Sequence, residues 1–380
     1  MYCFIFNIEK LQKNIKMKNI NFIVLLLFSM CISNTFAQKN KQIDIIAYYT
    51  GDDKLIDEFE VNKLNQIIFS FCHLKEGKLS VDSTKDSITI KKLVSLKNTN
   101  PQLKIILSLG GWGGCEPCSS EFSTAEGRLK FAKSVKEISD YFKVDGLDLD
   151  WEYPAIEGLP GHLFQPADKP NFTELIKILR STLGKKYELS FAAGGFQKYL
   201  DESVDWKNVA PLVNRINIMS YDLVNGYSKI TGHHTPLYST NPKEESTDKA
   251  VDYLLKQGVP SEKLIIGGAF YTRTWKNVEN VNNGLYQAGE HIEGVSFKNF
   301  ASTYTEANGW KYFWDEKAKA SYWYNEKEKT FATGDDIASI KAKTQYVKSK
   351  KLGGIMFWEL VLDKARDGMV NAIYEIKTSK

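Results

Sequence analysis

The stretch Asp145-Gly146-Leu147-Asp148-Leu149-Asp150-Trp151-Glu152-Tyr153-Pro154 sets four carboxylates within eight positions of an otherwise apolar run. Acidic side chains are rarely fully buried without partners or protons. In an extended chain successive side chains alternate faces. Asp148, Asp150 and Glu152 therefore share one face, and Leu147, Leu149 and Trp151 the other. Asp145 has the wrong parity to join the row and reads as a structural hydrogen-bond acceptor. Carboxyls ~6.5 to 7 Å apart along a strand resist simultaneous ionisation, and sharing a proton raises some of their pKa values. A carboxyl kept protonated near neutral pH, backed by a second one, is equipped to protonate a departing sugar oxygen. The run is too apolar for a solvated edge, and no histidine cluster supports a transition metal. A carboxylate magnesium site remains open on the residues alone.

The elements that must carry this row recur along the chain. Short continuous apolar runs at 43–49, 66–71, 103–109, 144–151, 189–193, 216–221, 264–270 and 354–358 read as parallel strands buried on both faces. Helical patterns fall between them. Ser123-x-x-Glu126 predicts a capping box, after which Phe131, Val135, Ile138 and Phe142 repeat on one face. Residues 168–183, 246–257 and 335–348 fit the same role. Eight strands, each followed by a helix, predict a (β/α)8 TIM barrel over 38–273 and 334–380. Residues 274–333 are too long for a loop and are rich in Tyr, Trp, Gly and Asn, which predicts a small inserted α+β domain after strand seven. Glu152 then ends its strand at the C-terminal face, where barrel enzymes place their chemistry.

Composition narrows the classes further. The chain has 380 residues, is 43% hydrophobic and carries a formal net charge of +4. Lys10, Lys13, Lys16 and Lys18 precede an apolar run over 22–32 and then Thr35-Phe36-Ala37, the pattern of a secretory signal peptide cut after Ala37. The start codon could equally be Met17, since residues 1–16 add nothing the signal needs. The apolar run is too short to span a bilayer, and Ser29-Met30 before Cys31 is a poor lipobox, which argues against a lipid anchor there. A secreted or periplasmic protein is expected, with no membrane span. Residues 1–37 carry four Lys and one Glu, so the remaining chain is near neutral and gives no electrostatic case for nucleic acid. Cys115 and Cys118 then remain as a C-x-x-C with no second pair to complete a zinc site, and a local disulfide is expected in an exported protein. Cys72 reads as a buried free thiol. Neither G-x-G-x-x-G nor G-x-S-x-G occurs, so dinucleotide and serine-hydrolase chemistry find no support.

The stretch around Glu152 resembles the signature of the family-18 glycoside hydrolases, the chitinases. Ser108-Leu109-Gly110-Gly111-Trp112 is similar to the family's S-x-G-G motif, Met219-Ser220-Tyr221-Asp222 to its M-x-Y-D, and Gly353 to Trp358 to its last strand. The resemblance implies a retaining mechanism in which the substrate's own 2-acetamido group is the nucleophile. It implies Glu152 as general acid and base, Asp150 as orienter of the acetamido group, Asp148 as its proton partner and Tyr221 as a hydrogen-bond donor to the acetamido oxygen. Met219 and Asp222 would shape the pocket, and Trp358 would floor the sugar site. Tyr48, Phe71 and Trp112 end comparable strands and are candidates for lining the cleft, though Phe71 reads nearly as well as core. Arg273 would bond substrate hydroxyls or pin the insert, and His233-His234 reads as a loop-packing pair. The implied substrate is chitin or N-acetylglucosamine oligosaccharides, with no cofactor and no metal, taken by a monomer. An endo-β-N-acetylglucosaminidase acting on N-glycans or peptidoglycan is the alternative enzyme. A chitin-binding lectin is the alternative without catalysis, although Glu152, Asp150 and Tyr221 are all present.

Overall fold

The structure is a computed structural model that describes residues 42–379. The signal-peptide reading, Met17 and Cys31 lie outside the described residues. Eight parallel strands close into a ring: β1 (Asp44–Tyr49), β2 (Gln66–Lys75), β3 (Lys104–Gly110), β4 (Gly146–Asp150), β5 (Glu188–Gly194), β6 (Arg215–Met219), β7 (Leu264–Ala269) and β8 (Gly354–Trp358). Ile46 pairs with both Met356 of β8 and Gln66 of β2, which closes the barrel.

The two faces of each strand sort as the alternation requires. Ile46, Ile68, Ile106, Ala192, Met219, Ile265 and Met356 fill the barrel interior with Tyr48. Leu147 and Leu149 point outward into the much larger cluster beneath the helices. Trp151 is outward too, its ring 5.7 Å from Phe122 and 6.3 Å from Phe172. The helix Ala125–Phe142 buries Phe131, Val135 and Phe142 against the strands. Its cap is Thr124 rather than Ser123, because the Thr124 hydroxyl accepts from the Gly127 amide at 3.0 Å. The Ser123 hydroxyl instead donates to the carbonyl of Ser120.

Two of the seven crossovers between consecutive barrel strands depart from the expected strand–helix rhythm. Between β1 and β2 there are only single 3-10 turns at Leu55–Glu58 and Val61–Lys63, and between β5 and β6 only Gln197–Glu202 and Trp206–Val209. In the first, the polar stretch after Tyr49 has too few apolar positions to seat a full helix on the barrel.

After β7 the chain enters a second, antiparallel sheet with strands Thr272–Lys276, Glu290–Ile292, Trp310–Asp315, Ala320–Asn325 and Thr330–Gly334. Glu290–Ile292 and Trp310–Asp315 form its two edges. Trp275, Tyr322, Tyr324 and Phe331 make a separate small core within it. Helix Ile337–Ser349, capped by Asp336, then leads back to β8.

The N-terminal end of the barrel is plugged by charge rather than by apolar packing. Glu188 pairs with Lys104 at 2.5 Å and also with Arg215, which reaches Asp44 at 2.5 Å. Asp145 lies just outside this group, accepting from Lys97 at 2.6 Å and from the Ile105 amide at 2.8 Å, the structural role its parity predicts. Removing one partner of a buried pair strands the others. Glu188→Ala should therefore cost about 3 kcal/mol of stability, at the low end for such pairs because Lys104 keeps access to water. Urea unfolding checks this, with a smaller loss expected for Glu188→Gln.

Candidate active site

Four strands supply the hydrogen bonds that let Asp148 sit fully buried inside the barrel. Its Oδ1 accepts from Ser190 at 2.6 Å and from the Asn217 amide at 3.0 Å, and its Oδ2 accepts from Tyr48 and Ser108 at 3.0 Å each. Burial pushes the carboxyl up, and these donors pull it back towards ionisation. One step along β4, Asp150 is almost as buried, yet its Oδ1 has no partner. Burial, then Glu152 and Asp148, raise its carboxyl well above the usual range. Glu152 follows at the strand mouth, where burial pushes it up to about 7 against the hydrogen bond from Tyr153, with Asp222 adding to the rise. Among the described residues no hydrogen bond joins one of these three carboxyls to another. Charge is graded along the column instead, with the anion best supported at Asp148.

The S-x-G-G segment of β3 owes its glycines to close approaches. Gly110 has φ +110°, and a Cβ there would fall 2.2 Å from the Asp150 carbonyl. Gly111 has φ +81°, and its Cβ would fall 2.4 Å from the Phe71 ring. Phe71 itself sits in a bulge of β2, where the register against β3 shifts between Phe69 and Cys72. Such bulges re-aim side chains at barrel rims. Here the ring turns to stack on Trp358, with centroids 5.6 Å apart and planes within 14°, and Tyr48 tilts against the same indole at 6.0 Å. The competing reading of Phe71 as core does not describe this placement. Trp358 is half-buried, whereas Trp112 is 48% exposed with its ring 6.4 Å from Tyr153. Non-proline cis peptide bonds occur at Ser70–Phe71 within the bulged part of β2, at Glu152–Tyr153 just past β4, and at Trp358–Glu359 at the end of β8.

On the opposite side, the Tyr221 ring crosses the face of Gly267, where a Cβ would meet it at 2.7 Å, and its hydroxyl lies 4.0 Å from the Met356 sulfur. Burial, then Asp150 and Glu152, raise its phenol far above the ordinary value, so it stays a hydrogen-bond donor. Met219, buried on the barrel's inner face, precedes it by two residues. Asp222 is held by Arg273 in a two-pronged bond of 2.7 and 2.6 Å and lies 3.3 Å from His234. Burial pushes the Asp222 carboxyl up, but the His234 and Arg273 bonds outweigh it and hold the group far below the usual range. Arg273 belongs to the first strand of the second sheet, so this pair pins that sheet to the end of β6. His233 bonds Asp315 at 3.1 Å, and the two histidines pack the loop as separate pairs.

Cys115 and Cys118 form a disulfide in the loop that follows Trp112, and Cys72 is a buried free thiol. Sequence reasoning missed Ser190, Asn217, Tyr153 and Tyr199. The first two carry inward parity on β5 and β6, which a search for polar residues at inward positions would have found. Tyr153 and Tyr199 meet edge to face at 5.4 Å, and burial, then Asp150 and Glu152, raise the Tyr199 phenol.

A model of the glycosyl hydrolases family 18 matches residues 44–363. The chain belongs to glycoside hydrolase family 18. It is 37% identical over 299 residues to chitinase A1 of Niallia circulans, a match that covers 72% of this chain and 43% of that protein. Against chitotriosidase-1 of Mus musculus the identity is 31% over 332 residues, covering 83% and 70%. This chain thus spans less than half the length of the first relative and about two thirds of the second. Among solved structures it is similar to a family-18 N-acetylglucosaminidase from Paenibacillus barengoltzii, with TM-score 0.80, 36% identity and coverage of 88% and 99%.

Glu152 sets two pH dependences. The Glu152 proton is lost as pH rises through about 7, so a reaction that uses this group as its acid should show kcat/KM falling on its basic limb with an apparent pKa near that value. Its folded value lies above the ordinary 4.5, so the stability it contributes is full below that pH and is lost as pH rises through about 7. Glu152→Gln cannot ionise. Its Tm relative to the parent should climb between pH 4.5 and about 7 and level off above, as thermal scans across that window would show.

Proposed function

We propose that the protein is an exported chitinase that hydrolyses β-1,4 bonds between N-acetylglucosamine units with retention, by substrate assistance. The observation that carries this reading is the graded column: Asp148 in its four-donor cradle, Asp150 with an unpartnered buried oxygen, and Glu152 protonated near neutral pH at the mouth. Glu152 protonates the leaving oxygen while the substrate's 2-acetamido carbonyl attacks the anomeric carbon. The free Oδ1 of Asp150 accepts the acetamido N–H and faces the positive charge of the oxazolinium that forms. Asp148, anchored by its donors, keeps Asp150 from ionising until that charge appears, and the Tyr221 hydroxyl holds the acetamido oxygen in line. Glu152 then takes a proton from water, which opens the intermediate. Trp358 offers an apolar face to the sugar ring, with Phe71 and Tyr48 bracing it and Trp112 available to the departing part of the chain. Asp222 and Arg273 hold each other, so their part is to fix the wall of the cleft.

Mass spectrometry of chitohexaose digests tests the reading. Shorter oligomers are expected from the parent chain, and Glu152→Gln should lower turnover ~10³-fold, within the range for a general acid. A loss below tenfold would remove Glu152 from the role. Glycan release from a glycoprotein with chitohexaose untouched would favour the endo-β-N-acetylglucosaminidase, and tight binding without cleavage a lectin. Export is tested on the secreted form, whose intact mass should correspond to a chain beginning at Gln38.

A further inference from the structure

Lys343 is fully buried, an unusual place for an ammonium group. It lies on the helix that returns the chain to β8 and pairs with the equally buried Asp335 at 2.7 Å. Both oxygens of the Asp335 carboxylate have further donors. Its Oδ1 accepts from Ser339 at 2.7 Å, and its Oδ2 also accepts from the Ala269 amide at 2.9 Å, at the end of β7. Lys343 makes a second hydrogen bond, to the Thr235 hydroxyl oxygen. Thr235 in turn lies 3.2 Å from two acceptors, the Ser220 carbonyl and Asp335 Oδ2.

A threonine hydroxyl has one hydrogen to give. With Lys343 and Ala269 already on Asp335 Oδ2, that hydrogen is best used on the Ser220 carbonyl, which precedes Tyr221 by one peptide bond. The Ser220 hydroxyl is fixed as well, accepting from the Gly267 amide at 3.1 Å beneath the Tyr221 ring. We infer that Lys343 is a positioning residue for Tyr221: by donating to Thr235 it directs the Thr235 hydrogen to the Ser220 carbonyl and so fixes where the Tyr221 hydroxyl meets the substrate. Without Lys343 the Thr235 hydrogen is free to turn to Asp335, and the Ser220 carbonyl loses its partner. The inference rests on the reading of Tyr221 as the group that aligns the acetamido oxygen.

A double-mutant cycle in the full chain tests it. Lys343→Met and Thr235→Val are made singly and on Tyr221→Phe, Thr235→Ser is made alone, and all are assayed on chitohexaose with thermal unfolding recorded. Each of the first two should lower kcat about tenfold with KM within about twofold, as expected for a misaligned rather than a missing group. Thr235→Ser, which keeps the hydroxyl, should stay within about twofold of the parent, and neither substitution should add more than about twofold to Tyr221→Phe. Losses that multiply fully in the double variants, or that fall on KM alone, overturn the inference, as does full activity of Thr235→Val. If Lys343→Met fails to fold, Thr235→Val decides, because it leaves the ion pair in place. An undiminished kcat in Tyr221→Phe would instead remove the role of Tyr221 itself, and the inference with it.

Discussion

One buried carboxylate governs the inside of this barrel. A TIM barrel interior is ordinarily filled by layers of branched apolar side chains, and an ionised group placed there needs hydrogen bonds to replace its water. Asp148 obtains four from Tyr48, Ser108, Ser190 and Asn217, on strands β1, β3, β5 and β6. These polar groups share the barrel interior with Ile46, Ile68, Ile106 and Ile265, which are apolar. Burial lifts the carboxyls along β4, but Asp148 is pulled back by four donors, while Asp150 is lifted further by Glu152 and Asp148.

The carboxylate column was readable because it is local. Parity within one strand places Asp148, Asp150 and Glu152 inward, and Leu147, Leu149 and Trp151 outward, with no knowledge of the fold. The apolar repeat of the helix Ala125–Phe142 is equally local and matches the face it buries. What escaped was assembled across distance. Ser190 and Asn217 lie 42 and 69 residues from Asp148 in the chain, and nothing near either marks it as a donor to a carboxylate. The choice between Ser123 and Thr124 as cap was a matter of one residue, decided by which hydroxyl faces the Gly127 amide. The missing helix after β1 was a failure of rhythm, since a repeating pattern invites completion where the residues do not supply it.

The second sheet and the barrel share their polar connections unevenly. Arg273 on Asp222 and Asp335 on the Ala269 amide both join the insertion's ends to the rim that carries Tyr221. One apolar cluster of the insertion, centred on Trp275 and Phe331, is separate from the main core. The insertion thus meets the barrel in two ways: Phe297, Phe300, Trp323 and Ala332 pack into the barrel's outer apolar cluster, and Arg273 and Asp335 add polar ties at the rim.

A closed ring of parallel strands has no edge of its own, and beyond it the short strand Lys78–Ser80 pairs antiparallel with the end of β2. The antiparallel sheet of the insertion has two edges. One, Glu290–Ile292, is only three residues long. The other, Trp310–Asp315, is six residues long and four of them are aromatic, the composition that most readily templates a further strand. Lys311 and Asp315 are its only charges, and Tyr312 stands 49% exposed between them. On that edge Lys311 and Asp315 are the charges that discourage an added strand.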